Sequence, residues 1–110
     1  MTRPKKPRCV STYPLTASFV PRGIPVTGEL HLTLEELEAI RLSDVEGLDQ
    51  QAAADLMEVS RQTYGRVLSR ARNIVGKALI AGQTIKIGGG VFKVRGAQRR
   101  CRRRGRRQGE

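Results

Sequence analysis

The chain has no tryptophan and only two phenylalanines and two tyrosines among its 110 residues. A core built on large aromatics is therefore excluded, and alanine, leucine, isoleucine and valine must fill a small aliphatic one. Cysteine occurs twice, at Cys9 and Cys101, without CxxC spacing, and the single histidine, His31, has no ligand-type neighbours in sequence. So few ligands support neither a zinc site nor a disulfide framework; both cysteines read as unbridged thiols, and no cofactor is implied. No nucleophile-base pair, carboxylate pair or metal constellation can be assembled, so the chain does not read as an enzyme. Long apolar runs are missing too: nothing approaches the roughly 18 residues of a membrane span, and the opening MTRPKKPR lacks the apolar stretch of a signal peptide. The expected address is the cytoplasm, without a membrane partner.

Acidic residues are missing from a whole end of the molecule. Nine of the ten carboxylates lie between positions 29 and 58, whereas fourteen basic residues between 66 and 107 have no acidic neighbour. The formal charge of +11 divides unevenly: residues 1–22 carry +5, residues 23–94 net −1 and residues 95–110 carry +7. A field of this size suits a polyanionic partner, by steering and by counterion release. The sign reverses at Ser60.

Three regions follow from composition. Residues 1–28 hold all five prolines and read as extended and irregular, although Val10, Tyr13, Leu15, Phe19, Val20, Ile24 and Val26 predict packing over helices. Residues 29–94 form the folded domain. Thr33 and Glu36 have capping-box spacing, which predicts a helix from Leu34 with Leu34, Leu37, Ile40, Leu42 and Val45 on its apolar side and Gly47 as its stop. Asp49 caps a short second helix, Gln50 to Met57, packed through Ala52, Ala53, Leu56 and Met57. Ser60 caps a third, Arg61 to Ala81, closed by Gly82, with Tyr64, Val67, Leu68, Ala71, Val75, Ala78 and Leu79 as its apolar stripe. Around the turn Gly88 to Gly90, TIKI (84–87) and VFKV (91–94) read as a short β-hairpin. Residues 95–110 form an Arg-rich tail whose like charges favour disorder.

The stretch QQAAADLMEVSRQTYGRVL (50–68) has the order that a helix-turn-helix needs. Ala53 and Ala54 are small where the helices cross, Val59 is apolar in the turn, Ser60 caps the second helix, and exposed polar groups follow. Such a helix enters the major groove by its N-terminal part, where arginine bridges guanine N7 and O6 and glutamine bridges adenine N6 and N7. Arg61, Gln62, Thr63 and Arg66 are the candidate base contacts, with Gln62 and Arg66 first. Ser60, Arg70, Asn73 and Lys77, with Lys5, Lys6 and Arg8 at one end and Arg99, Arg100, Arg102, Arg103 and Arg104 at the other, are the candidate phosphate contacts. Gly65 and Gly76 share a flank of the third helix; either DNA backbone or another protein element fits against it.

From RPKKPR through FVPRGIP, LTLEELEAIRLSDVEGL, AAADLMEVSRQTYGRVLSRAR, KALIAG and IKIGGG, residues 3–90 resemble a small prokaryotic family of uncharacterised proteins expected to bind DNA. More distantly, residues 33–81 resemble the promoter-reading C-terminal domain of bacterial sigma factors. The resemblance implies a mainly α fold: a three-helix, sigma-factor-like helix-turn-helix domain, with an irregular N-terminal segment and a short hairpin after the third helix. It departs from the pattern at Glu58, a turn position usually held by Gly, at Gly65, where a larger polar residue is expected, and in the tail after Val94. Cys101 alone cannot supply the metal site of relatives with a Cys-rich extension.

A sequence-specific DNA-binding transcription regulator is the first expectation for function. A nonspecific binder of RNA or nucleoid DNA and a module that contacts RNA polymerase are the alternatives. Proteins of this type often pair to read two half-sites, but no helix is left over here to form a homodimer.

Overall fold

The computed structural model describes residues 7–11 and 17–89, together with the backbone of 92–94. Five short strands flank three helices: β1 (Arg8–Val10), β2 (Ser18–Phe19), β3 (Glu29–Leu32), α1 (Leu34–Ile40), α2 (Gln50–Met57), α3 (Arg61–Ala81), β4 (Thr84–Ile87) and β5 (Phe92–Val94). No helix among the described residues is long and apolar enough to cross a membrane.

Each helix begins where its cap residue stands. Thr33 accepts the Glu36 amide while Glu36 accepts the Thr33 amide, Asp49 accepts the Ala52 amide, and Ser60 accepts the Thr63 amide. These bonds satisfy first-turn donors that the helix itself leaves unmet. α3 ends at Gly82, whose φ of +65° lies in the left-handed region. Gly82→Ala is expected to cost about 1–2 kcal/mol, the penalty of a Cβ in that region; a thermal melt reads it directly.

α1 does not run unbroken to Gly47. It widens into a π turn, Arg41–Val45, in which the Glu46 amide donates to the Arg41 carbonyl at 2.8 Å. The fully buried Tyr64 of α3 reaches this point: its hydroxyl donates to the Ala39 carbonyl at 2.9 Å and is also hydrogen-bonded to the Ser43 hydroxyl. A side chain inserted beside the carbonyl ladder is a recognised cause of such local widening.

Two apolar clusters sit along α3. Ala39, Leu42, Ala53, Ala54, Met57, Tyr64 and Leu68 join the three helices, and Leu32, Ala71 and Ile74 join α3 to the strands, with Ile85 and Ile87 packed alongside. Helical periodicity overstated the core at three places. Val45, Leu79 and Leu56, expected in apolar stripes, are exposed, while Ala54 is buried. Val45 is the last residue of the π turn, which rotates it off the α-helical stripe; Leu79 lies in the last turn of α3; and on α2 the crossing side is narrower than the stripe.

The expected hairpin does not form. β4 is the centre of a three-stranded sheet, parallel to β3 and antiparallel to β2, and β5 pairs in parallel with β1. Both edges of β4 are thus occupied, and Gly88 donates to the Leu32 carbonyl rather than turning back. The N-terminal segment is accordingly less irregular than its prolines imply, since it supplies two strands.

Three carboxylates of α1, Glu35, Glu36 and Glu38, are buried. Glu35 pairs with Arg8 at 3.0 Å, Glu36 with Arg70 at 2.9 Å, and Glu38 with Arg41 at 2.9 Å while also accepting from the Ser11 hydroxyl. A buried charge persists only when so compensated. These three tie the N-terminal segment, α3 and the π turn to one helix.

Candidate nucleic-acid interface

Between α2 and α3 lie three residues, 58–60. Glu58 adopts φ +59°, ψ +44°, and the Val59 amide donates to the Ala54 carbonyl at 3.0 Å. This is the left-handed helix ending that Gly usually takes, adopted here by Glu58. Ser60 follows in an extended conformation and starts α3 at an angle to α2 fixed by the packing of Ala53, Ala54 and Met57 against Tyr64 and Leu68.

The exposed side of α3's first four turns is a shallow concave surface lined by Gln50, Arg61, Gln62, Gly65, Arg66, Ser69, Arg70 and Asn73. Three arginines and no carboxylate face it. Arg61, Gln62, Arg66 and Asn73 are exposed on it, and Lys77 lies exposed beyond it on the same helix. Thr63 is half-buried and its Oγ1 accepts from the Ser60 hydroxyl at 3.0 Å, so of the four base candidates it is the one drawn into the cap. Arg70 is held through Nε by Glu36, yet 74% of its side chain remains exposed. That anchor limits the rotamers of an otherwise long, mobile side chain, which lowers the entropy lost on contact with phosphate.

Arg8 is the one described phosphate candidate that the fold removes. Its side chain is 12% exposed and its charge is spent on Glu35. Lys5, Lys6, Arg99, Arg100, Arg102, Arg103 and Arg104 lie outside the described residues.

Gln50 and Ser69 belong to this surface and were not among the expected site residues. Gln50 sits on α2, and its carboxamide oxygen lies 3.4 Å from where a Cβ on Gly65 would be. The bare Gly65 thus leaves room for Gln50 to reach across, a pairing that a helical wheel of α3 alone cannot reveal. Around Gly76 an added Cβ would meet nothing within 4 Å, so no described element packs on that part of the flank.

Electrostatically the two sides of α3 differ. Arg72 is neutralised by Asp44 at 2.6 Å, and the paired guanidinium holds the Asp44 carboxyl below the usual aspartate range. On the concave side Arg70 is paired with Glu36, and Arg61 and Arg66 keep their positive charge facing outward.

Residues 1–95 match the family described as protein of unknown function DUF134. The chain belongs to that family. Among its relatives, a UPF0251 protein of Caldanaerobacter subterraneus is 47% identical over 102 residues, covering 91% of this chain and 86% of its own. Another from a Thermoanaerobacter species is 47% identical over 96 residues, covering 86% and 85%, and one from Pelotomaculum thermopropionicum is 46% identical over 109 residues, covering 97% and 83%. No solved structure matches the chain significantly. The DUF134 match spans α1, α2, α3 and all five strands and stops before most of the Arg-rich tail, where the sequence resemblance also ends.

Proposed function

We propose that this DUF134 protein is a sequence-specific DNA-binding protein, a transcription regulator, in which α2 and α3 work as a helix-turn-helix of the kind found in the promoter-reading domain of sigma factors. The observation that carries this reading is the concave face of α3: three arginines, Gln62, Ser69 and Asn73, no carboxylate, and a three-residue turn leading into it. Gln62 and Arg66 stand one turn apart at the helix start, which gives them two neighbouring base pairs to read. Arg61 and the free amides behind Ser60 suit phosphate, as the positive end of any helix does. Arg70, Asn73 and Lys77 follow at 1.5 Å rise per residue toward the backbone of the duplex. Double-stranded DNA is the partner, and the basic arms add affinity without sequence information.

A second reading is favoured by the charge distribution. Because residues 1–22 and 95–110 carry +5 and +7 while the middle nets −1, a nonspecific nucleic-acid binder would act through its arms alone. Random-site selection at several salt concentrations, on the full chain and on a chain ending at Val94, separates the two. Readout by α3 predicts an enriched motif that survives removal of the tail, with a salt slope shallower by about 0.9 for each phosphate that the tail had neutralised. Absence of any enriched motif, or its loss with the tail, favours the arms.

A further inference from the structure

Among the described residues, an exposed apolar group gathers at one end. Leu79 and Ile80 project from the last turn of α3 at 75% and 90% exposure, and Phe19, Val20, Ile24 and Val26 are 46–59% exposed. Backbone pairing and packing bring these two stretches together. Phe19 is in register with Ile85, just past the helix, and Ile24 lies over Gly82, its Cδ1 2.5 Å from where a Cβ would stand. Ile80 also continues the face of the candidate interface, since Gln62, Ser69 and Asn73 precede it by 18, 11 and 7 residues, close to whole helical turns. Along that one face the helix is polar and basic up to Asn73, bare at Gly76 and apolar at Ile80.

We infer that this end binds a second copy of the chain, with Leu79 and Ile80 at the centre of a two-fold interface. The six residues are each 46–90% exposed, apolar surface of a kind that marks an interaction site, and a standard interface takes about 800 Å² from each partner. Leu79 and Ile80 carry no charge that would select an acidic or a basic partner. The groove beside Ile80 is lined by Asn73, Gly76, Ala81 and Gln83, which are uncharged, by Arg72, which Asp44 neutralises, and by the exposed Lys77, and Arg22 stands exposed between Val20 and Ile24. Leu79 and Ile80 meet their own copies at an apolar centre, Lys77 and Arg22 are exposed to water, which screens like charges across a symmetry axis, and Gly76 lets a second backbone approach closely. The dimer itself does not depend on DNA binding and is tested without DNA.

Sedimentation velocity of the nucleic-acid-free full chain, across micromolar concentrations at moderate salt, tests it. The wild type is expected to dimerise. Leu79→Lys with Ile80→Lys should weaken the dimer at least tenfold while far-UV circular dichroism and the melting temperature hold. Val45→Lys with Leu56→Lys, exposed apolar residues elsewhere, should leave it unchanged. A wild type monomeric throughout overturns the proposal, as does a dimer indifferent to Leu79 and Ile80, one weakened equally by both pairs, or one lost only when residues 95–110 are removed. Should the lysine pair unfold the chain, Leu79→Gln with Ile80→Gln replaces it; unfolding there too would make these side chains core and overturn the interface.

Discussion

Tyr64→Ala is expected to lower the melting temperature by about 15–30 °C, the largest stability effect of any single substitution in this chain. Truncating a buried aromatic costs roughly 3–5 kcal/mol, a large share of the 5–15 kcal/mol that holds a domain together. For a domain near 80 residues each kcal/mol moves the midpoint by about 4–8 °C. Tyr64 concentrates this cost because it fills the cluster joining all three helices and its hydroxyl serves Ala39 and Ser43 at the π turn. Tyr64→Phe keeps the ring and removes only that hydroxyl, so about 1–3 kcal/mol is expected from the stranded buried carbonyl. Burial raises the phenol's pKa above its usual 10, against a smaller lowering by the Ser43 bond. The unfolded chain therefore loses this proton first as pH rises past 10, and stability declines there and levels off above the folded-state value. Calorimetry of the three proteins checks the series; a shift of only a few degrees in Tyr64→Ala would remove Tyr64 from its central place.

Gln62→Ala with Arg66→Ala is expected to abolish sequence preference while leaving the fold intact. Each bidentate pair with a base is worth about 1–3 kcal/mol of discrimination, so the double variant should lose about thirtyfold to about twenty-thousandfold in the ratio of specific to scrambled DNA. Both side chains are exposed and belong to neither apolar cluster, so the melting temperature should stay within about 2–3 °C of wild type. Lys77→Ala offers the contrast: weaker binding to every sequence alike, with a shallower salt dependence. An unchanged preference in the double variant would mean that the bases are read elsewhere or not at all.

The helices were legible because their signals are local. Thr33, Asp49 and Ser60 each stand one residue before a helix, and Gly82 one residue after, and cap chemistry is decided within four residues. What escaped depends on contacts distant in sequence. The Gly-rich run after β4 has the composition of a hairpin turn, but the partners of β4 come from residues 18–19 and 29–32, and no turn signal encodes them. Glu35, Glu36 and Glu38 look like solvated helix-start acids until Arg8, Arg41 and Arg70 close over them. Gln50 joined the candidate interface only through the packing of α2 on α3, whereas Arg61, Gln62 and Arg66 were readable from their place after the Ser60 cap.

Everything proposed for function turns on α3 meeting DNA by its N-terminal half. A nitrogen-15 NMR titration of the full chain with the selected duplex tests this most directly. Perturbations are expected to concentrate on the Ser60 cap and the concave face of α3, at Arg61, Gln62, Arg66, Ser69 and Asn73, with Gln50 affected across the turn. Perturbations confined to residues 95–110, or centred on α1, would contradict it.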